Sequence, residues 1–175
     1  ETLKLLLKKI KIPNNFKINI IHEDFLTMKI EEKYDLAIGN PPFSKVNGKC
    51  AKKGLYIDQA INKETLNLSA MFLEKCIQNS ECVSLVLNKT ILSNHEFRIS
   101  REILRKIEIR NIIDFGRYGF TGVSIETMNL IVFPKNKPSK TLIYNMKHNL
   151  QMLQSQEYIT DPTFPCFVIY RDETF

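Results

Sequence analysis

The sequence contains no tryptophan, and only six glycines and three histidines among its 175 residues. No apolar run approaches the ~20 residues that a membrane-spanning helix needs. The opening Glu1-Thr2-Leu3-Lys4 lacks the charged-then-apolar order of a secretory leader. On these absences the chain is expected to be cytoplasmic and to have no membrane partner. Four cysteines, Cys50, Cys76, Cys82 and Cys166, are separated by 26, 6 and 84 positions. There is no C-x2-C pair and no neighbouring histidine pair. Neither zinc nor any other metal is expected, and the thiols read as reduced core filler.

What is present describes an ordinary globular domain. Hydrophobic residues at 43% and charged residues at 25% exclude a disordered tail, a collagen-like repeat and a coiled coil. A chain of this length buries roughly 70% of the surface its unfolded form exposes, so it needs no disulfide to fold. Lys plus Arg outnumber Asp plus Glu by 25 to 19, a net charge of +6. That excess favours a polyanionic partner and equally describes a solvated lysine-rich surface.

Leu3, Leu6, Leu7 and Ile10 fall at helical spacing before Pro13-Asn14-Asn15, so the sequence is expected to open inside a helix. Residues 17–21 read as a short strand and His22-Glu23-Asp24-Phe25 as the turn after it. Residues 34–38 read as a second strand, ended at Gly39-Asn40-Pro41-Pro42 because two prolines cannot continue a ladder. Residues 44–55 read as a mobile basic loop. Residues 67–78 read as a helix with Leu68, Met71, Phe72 and Leu73 inward. Residues 82–87 suit a strand buried on both faces, and residues 93–106 an amphipathic basic helix that includes Arg98, Arg101, Arg105 and Lys106. Those cations face phosphate or simply solvent. Further strands are expected at 109–115, 127–133 and 141–144, with a loop at 116–122. This alternation specifies an open, mostly parallel α/β sheet. From Tyr158 the pattern loosens, and the segment reads either as a connector to a further domain or as a final strand on the sheet edge.

Chemistry concentrates where the strand at 34–38 runs into Asn40-Pro41-Pro42-Phe43, at the carboxyl edge of the expected sheet, where ligands of such folds bind. An Asn-Pro-Pro run can be no more than a stiff turn. Here it resembles the N-P-P-[YF] motif of the S-adenosylmethionine-dependent amino-methyltransferases, above all the adenine-N6 DNA methyltransferases of bacterial restriction–modification systems. An exocyclic amine is a weak nucleophile because its lone pair is delocalised into the ring, so acceptors that pyramidalise it are the useful catalysts. The resemblance assigns that role to the Asn40 side-chain oxygen and the Pro41 carbonyl. Pro42 stiffens the loop, and Phe43 stacks on a base flipped from the duplex. Asp24-Phe25-Leu26, 16 positions before Asn40, resembles the D-F-L element of the same family. The resemblance implies that Asp24 accepts the amino group of the cofactor adenine and that Phe25 packs on its ring, with Asn40 also at the cofactor. On residues alone, an Asp after a strand is a cap or turn former. Phe120 is assigned a second stacking role on the target base, with Tyr118 its rival and a core aromatic the plain alternative. Lys45, Lys49, Lys52 and Lys53 are assigned to the DNA backbone.

The resemblance implies a Rossmann-like class I S-adenosylmethionine-dependent methyltransferase sheet that is incomplete. The family's F-x-G-x-G loop and its ribose-binding acid have no counterpart in this sequence. Residues 1–146 are expected to be a partial catalytic domain, and 147–175 a connector toward a target-recognition domain outside the sequence. The expected function is methyl transfer from S-adenosylmethionine to adenine N6 in double-stranded DNA, alongside a restriction endonuclease subunit or a fused nuclease. The sequence by itself is expected to be inactive. Two alternatives stay open: methylation of guanine N2 in RNA or of a protein glutamine, and a non-enzymatic DNA-binding module that keeps the N-P-P-F loop.

Overall fold

The computed structural model describes residues 15–117, 119 and 124–170. The helix expected around Leu3–Ile10 lies outside them, as do Tyr118 and Phe120. Strands β1 (Tyr34–Gly39), β2 (Ser80–Asn88), β3 (Glu108–Gly116), β4 (Thr127–Phe133), β5 (Lys140–Asn145) and β6 (Leu150–Ser155) build one sheet. Its order is β1-β2-β4-β3-β5-β6. The β1–β2 and β3–β5 pairs are parallel, whereas β4 is antiparallel to both its neighbours and β6 is antiparallel to β5. The sheet is therefore mixed rather than mostly parallel. The short links after β3 and β5 can only return the chain antiparallel. Even so, β1, β2, β3 and β5 all point one way, and their carboxyl ends share one edge.

Alternation along the strands decides which face is the core. Val83, Leu85 and Leu87 are buried while Cys82, Ser84 and Val86 are half-exposed. In register, Leu85 lies opposite Leu130, Leu130 opposite Ile112 and Ile112 opposite Ile143. One apolar row thus crosses four strands, each fully buried side chain contributing about 1.5–3 kcal/mol. Helices α2 (Leu68–Asn79) and α3 (Arg98–Lys106) cover this face through Ala70, Leu73, Cys76 and Leu104. The expectation of burial on both faces fails because among the described residues the helices pack on one side only.

Local chemistry sets the helix ends. The Asn67 side chain accepts the Ser69 amide at 3.0 Å and so caps α2, as expected at an N-cap. The basic helix expected from residue 93 starts at Arg98, after a 3-10 turn at His95–Phe97. Asn94 caps that turn through the Glu96 amide, and Phe97 is fully buried beneath it. Residues 17–21 belong to no strand, and Ile18, Ile20 and Ile21 are exposed. A segment becomes a strand only where a neighbour takes its N–H and C=O groups, and among the described residues no strand pairs with it. The 44–55 segment is not a free loop either. It leads into α1 (Lys53–Gln59) and is fixed by its own apolar cluster of Leu26, Val46, Ala60 and Met71, with Tyr56 and Ile57 packed against it.

Several buried polar groups tie the layers together. Glu74 of α2 accepts the Ile61 and Asn62 amides and the Ser100 hydroxyl. Burial nevertheless raises its pKa. Arg101, expected to face phosphate or solvent, is instead buried and donates to the carbonyls of Ile91, Asn94 and Pro165. Arg98 pairs with Glu64, and Arg105 donates to the Thr160 carbonyl, so these arginines serve the fold. Residues 150–159 add β6 and α4 (Gln156–Ile159). Ile159, Phe167 and Ile169 then enter the same core as the strands.

Gln156 is completely buried. Its amide donates to the Leu104 and Ile107 carbonyls and accepts the Ile109 amide at 2.8 Å. Gln156→Ala orphans all three and is expected to cost about 3 kcal/mol, or roughly 6–12 °C in Tm. The exposed Gln151→Ala should stay within about 0.5 kcal/mol of wild type; thermal unfolding of both checks this. Asp114 yields a second expectation, about pH. Burial pushes its pKa up, but Lys89 at 2.7 Å, the Tyr170 hydroxyl and the Gly116 amide outweigh burial and hold it below its ordinary value. Its contribution is therefore present above the unfolded pKa and is lost as pH falls through the folded one. The stability gap between wild type and Asp114→Asn, followed by urea unfolding from about pH 7 to about pH 3, should shrink. A constant gap contradicts the sign.

Candidate active site at the carboxyl edge

β1 stops where its sequence requires. Gly39 lies opposite Leu85 of β2, and the two prolines beyond Asn40 have no N–H to extend the ladder. The chain leaves the sheet over the carboxyl edge with Pro41 buried and the Asn40 side chain exposed. The residues beyond Phe43 are fastened rather than loose. The Ser44 carbonyl accepts the Leu68 amide at 3.0 Å, and the Val46 amide donates to the Leu66 carbonyl at 2.7 Å. The Phe43 carbonyl accepts the Asn67 side-chain amide at 3.5 Å. The residue that caps α2 thus also steadies the N-P-P-F turn.

A cleft of about 470 Å³ opens beside this turn, with Phe25, Asn40, Pro41, Pro42, Phe72 and Leu85 in its wall. Phe25 comes from the turn at 24–27, closed by the Thr27 and Met28 amides on the Asp24 carbonyl. Lys75 of α2 clamps that turn from below, donating to the carbonyls of Leu26 at 3.0 Å and Met28 at 2.6 Å. Its ammonium lies 5.5 Å from the Phe25 ring centroid, and the Phe25 and Phe72 rings are 5.0 Å apart. An apolar slot with aromatic walls beside an exposed amide oxygen is the environment a planar heterocycle with an exocyclic amine requires.

Asp24 and Phe43 lie outside that wall. Asp24 Oδ1 accepts the Leu26 amide at 3.1 Å, while Oδ2 accepts Lys52 Nζ at 2.9 Å and the Tyr56 hydroxyl at 2.5 Å. Burial acts to raise the Asp24 pKa, but these bonds prevail and hold it below the usual value. The same bond to the carboxylate pushes Tyr56 up to about 12. The four expected DNA-contacting lysines divide in two. Lys45 is paired with Glu96 at 2.9 Å and Lys52 with Asp24, whereas Lys49 and Lys53 carry no ion pair among those identified for the described residues. Phe120 and its rival Tyr118 lie outside the described residues.

Sequence reading missed Tyr56 and Lys75 as site residues. Tyr56 stands 32 positions from Asp24 on a helix too short to announce itself, and no local pattern joins the two. It also missed the cluster at the far end of the same edge, where Lys89, Asp114 and Tyr170 surround a second cleft of about 400 Å³. No group of three or more His, Cys, Asp or Glu side chains that could hold a metal ion exists among the described residues. No helix among them is long and apolar enough to cross a membrane.

Comparison with known proteins places this geometry. The type II methyltransferase M.CvrRI of Paramecium bursaria Chlorella virus XZ-6E is 26% identical over 139 residues, covering 77% of this chain and 35% of its own length. Among solved structures, the M protein of the type I restriction enzyme EcoKI superposes with a TM-score of 0.52 at 16% identity, over 65% of this chain and 25% of that one. A Listeria monocytogenes protein described as a class I S-adenosylmethionine-dependent methyltransferase superposes with a TM-score of 0.55 at 13% identity, over 69% of this chain and 39% of that one. These superpositions identify the fold as the α/β sheet of class I methyltransferases, and this chain spans about a third of the length of its curated relative. Residues 1–120 match the Eco57I restriction-modification methylase family, and the chain belongs to that family.

Proposed function

We propose that this chain forms the target-amine half and the adenine-binding end of a DNA adenine-N6 methyltransferase in a restriction–modification system. One observation carries the reading: Asn40, Pro41 and Pro42 leave the carboxyl end of β1 and line an apolar cleft that also holds Phe25. In this reading the Asn40 side-chain oxygen and the Pro41 carbonyl accept the two N–H bonds of the target amine and build lone-pair density on its nitrogen. Pro42 keeps these acceptors preorganised, so little reorganisation is needed at the moment of reaction. Phe43, with Phe120 from the 117–126 link, stacks on the flipped base.

The groups present fit the adenine end of S-adenosylmethionine. Phe25 and Phe72 offer an aromatic wall, Asn40 a polar group in the lining, and Asp24, beside the cleft rather than in its wall, a carboxylate acceptor. The sequence has no G-x-G run for the methionine end, so the fit covers the adenine end alone. The cofactor, when bound, supplies an electrophilic methyl group. Asn40 and Pro41 would hold the target amine beside that group. Lys45, Lys49, Lys52 and Lys53 of the 44–55 segment are assigned to DNA phosphate, Lys45 and Lys52 being paired with Glu96 and Asp24. Residues 147–175 are assigned as a connector toward a target-recognition domain, and a restriction subunit or fused nuclease is assigned as the partner. Membership of the restriction-modification methylase family favours DNA over RNA or protein as the substrate.

The test is labelled methyl transfer by the full-length gene product to DNA, RNA and protein substrates. DNA should be methylated at adenine N6. Asn40→Ala should lower the rate by about 10²–10³ with Tm unchanged, the loss typical of a deleted transition-state hydrogen-bond partner. The 175-residue chain alone should show little or no turnover. Transfer to RNA or protein in place of DNA, or full activity of Asn40→Ala, contradicts the reading.

A further inference from the structure

The segment after N-P-P-F reaches back to the turn that carries Asp24 and Phe25. It leaves Phe43 and is pinned to the start of α2 by the Ser44–Leu68 and Val46–Leu66 backbone bonds. It then turns through Asn47–Cys50 and enters α1, where Tyr56 and Ala60 pack against Leu26 and Met71. From there Tyr56 places its hydroxyl on Asp24 Oδ2, and Lys52 places its ammonium on the same oxygen. Oδ2 thereby has two donors, whereas Oδ1 has one, the Leu26 amide. A carboxylate oxygen has two acceptor sites, so one remains on Oδ1.

We infer that Tyr56 is a positioning residue of the cofactor site: its hydroxyl fixes the Asp24 carboxylate so that the remaining acceptor site of Oδ1 is presented to an exocyclic adenine amine. This rests on the proposed role of Asp24 as the cofactor-adenine acceptor. Three features carry it beyond a chance surface contact. Tyr56 is half-buried, with its ring in an apolar cluster, so its hydroxyl is held rather than sampled. Lys52 binds the same oxygen but is half-exposed, and an exposed ion pair contributes little orientation. Finally, Asp24 heads the turn that supplies Phe25, and Lys75 fixes that turn on α2. A carboxylate rotated away from its donors would leave the ring in place and lose the acceptor. The arrangement also joins the two halves of the reaction, because one segment carries the amine acceptors at its start and the anchor of the cofactor acid at its end.

The charged and titratable groups facing Asp24 are Lys52 and Tyr56 from the 44–59 segment and Lys75 from α2. Of the three, Tyr56 can be changed to an isostere that removes the hydrogen bond and keeps the packing. The experiment measures the dissociation constant of S-adenosylmethionine by calorimetry on the full-length gene product, for wild type, Tyr56→Phe and Asp24→Ala, across pH. Tyr56→Phe should bind about tenfold more weakly, the usual scale for a hydrogen bond to a charged group. Its affinity should also begin to fall at a higher pH than that of wild type, because Asp24 loses a donor that favours its ionised form. Asp24→Ala should bind at least as weakly as Tyr56→Phe. If Asp24→Ala weakens binding while Tyr56→Phe leaves it unchanged or tightens it, the positioning role is overturned and the role of Asp24 stands. If Tyr56→Phe weakens binding with a matching loss of Tm and an unmoved pH profile, Tyr56 is merely structural and the inference fails. If Asp24→Ala binds like wild type, the underlying assignment of Asp24 fails first.

Discussion

The parallel pairing of β1 with β2 is the constraint on which the site depends. It aligns Gly39 with Leu85 and so sets the height at which the chain leaves the sheet. With two prolines next, the backbone cannot pair further, and its acceptors are delivered over the carboxyl edge instead of being consumed in a ladder. β2 is in turn fixed by β4 on its other side and by α2 on its covered face. A displacement of β1 by one residue would turn Leu36 and Ile38 to the opposite face and move Asn40 off the edge.

Around that fixed point the site is assembled from three segments joined by hydrogen bonds to one another. Asn67 caps α2 and also binds the Phe43 carbonyl. Lys75, two turns along α2, clamps the turn that bears Phe25. The 44–59 segment closes the circuit through Tyr56. The apolar cluster under this circuit is small and separate from the main core. Site geometry therefore rests on a few hydrogen bonds to charged groups and backbone, each worth about 1–3 kcal/mol, more than on bulk burial.

Much of this was legible in sequence. The alternation at 127–133 matches β4 to the residue. The expected helix at 67–78 with Leu73 inward locates α2 within one residue at each end, and the prolines mark the end of β1. The failures have physical causes. Residues 17–21 have the β-branched composition of a strand, but composition cannot supply a neighbour. Leu150–Ser155 has the glutamines of a solvated segment and pairs only because Asn149 adopts a positive φ of 48° at the tight turn after β5, a conformation asparagine tolerates. Arg101 reads as one more cation of a solvated or phosphate-facing helix. Its burial follows from carbonyls at Ile91, Asn94 and Pro165, one of them 64 positions away in the chain. Tyr56 was hidden for the same reason, since its role is defined by a partner across the fold. In the candidate site, the residues that the end of a strand itself positions were readable, and those defined by distant partners were not.

The central claim is that the N-P-P-F cleft belongs to a cofactor-dependent methyltransferase site. The measurement that tests it most directly is thermal unfolding of the full-length gene product with and without S-adenosylmethionine. The account predicts a Tm that rises with cofactor concentration, as mass action requires of a ligand that binds the folded state alone. An unchanged Tm at saturating concentration would contradict it and leave a DNA-binding module that keeps the loop without the chemistry.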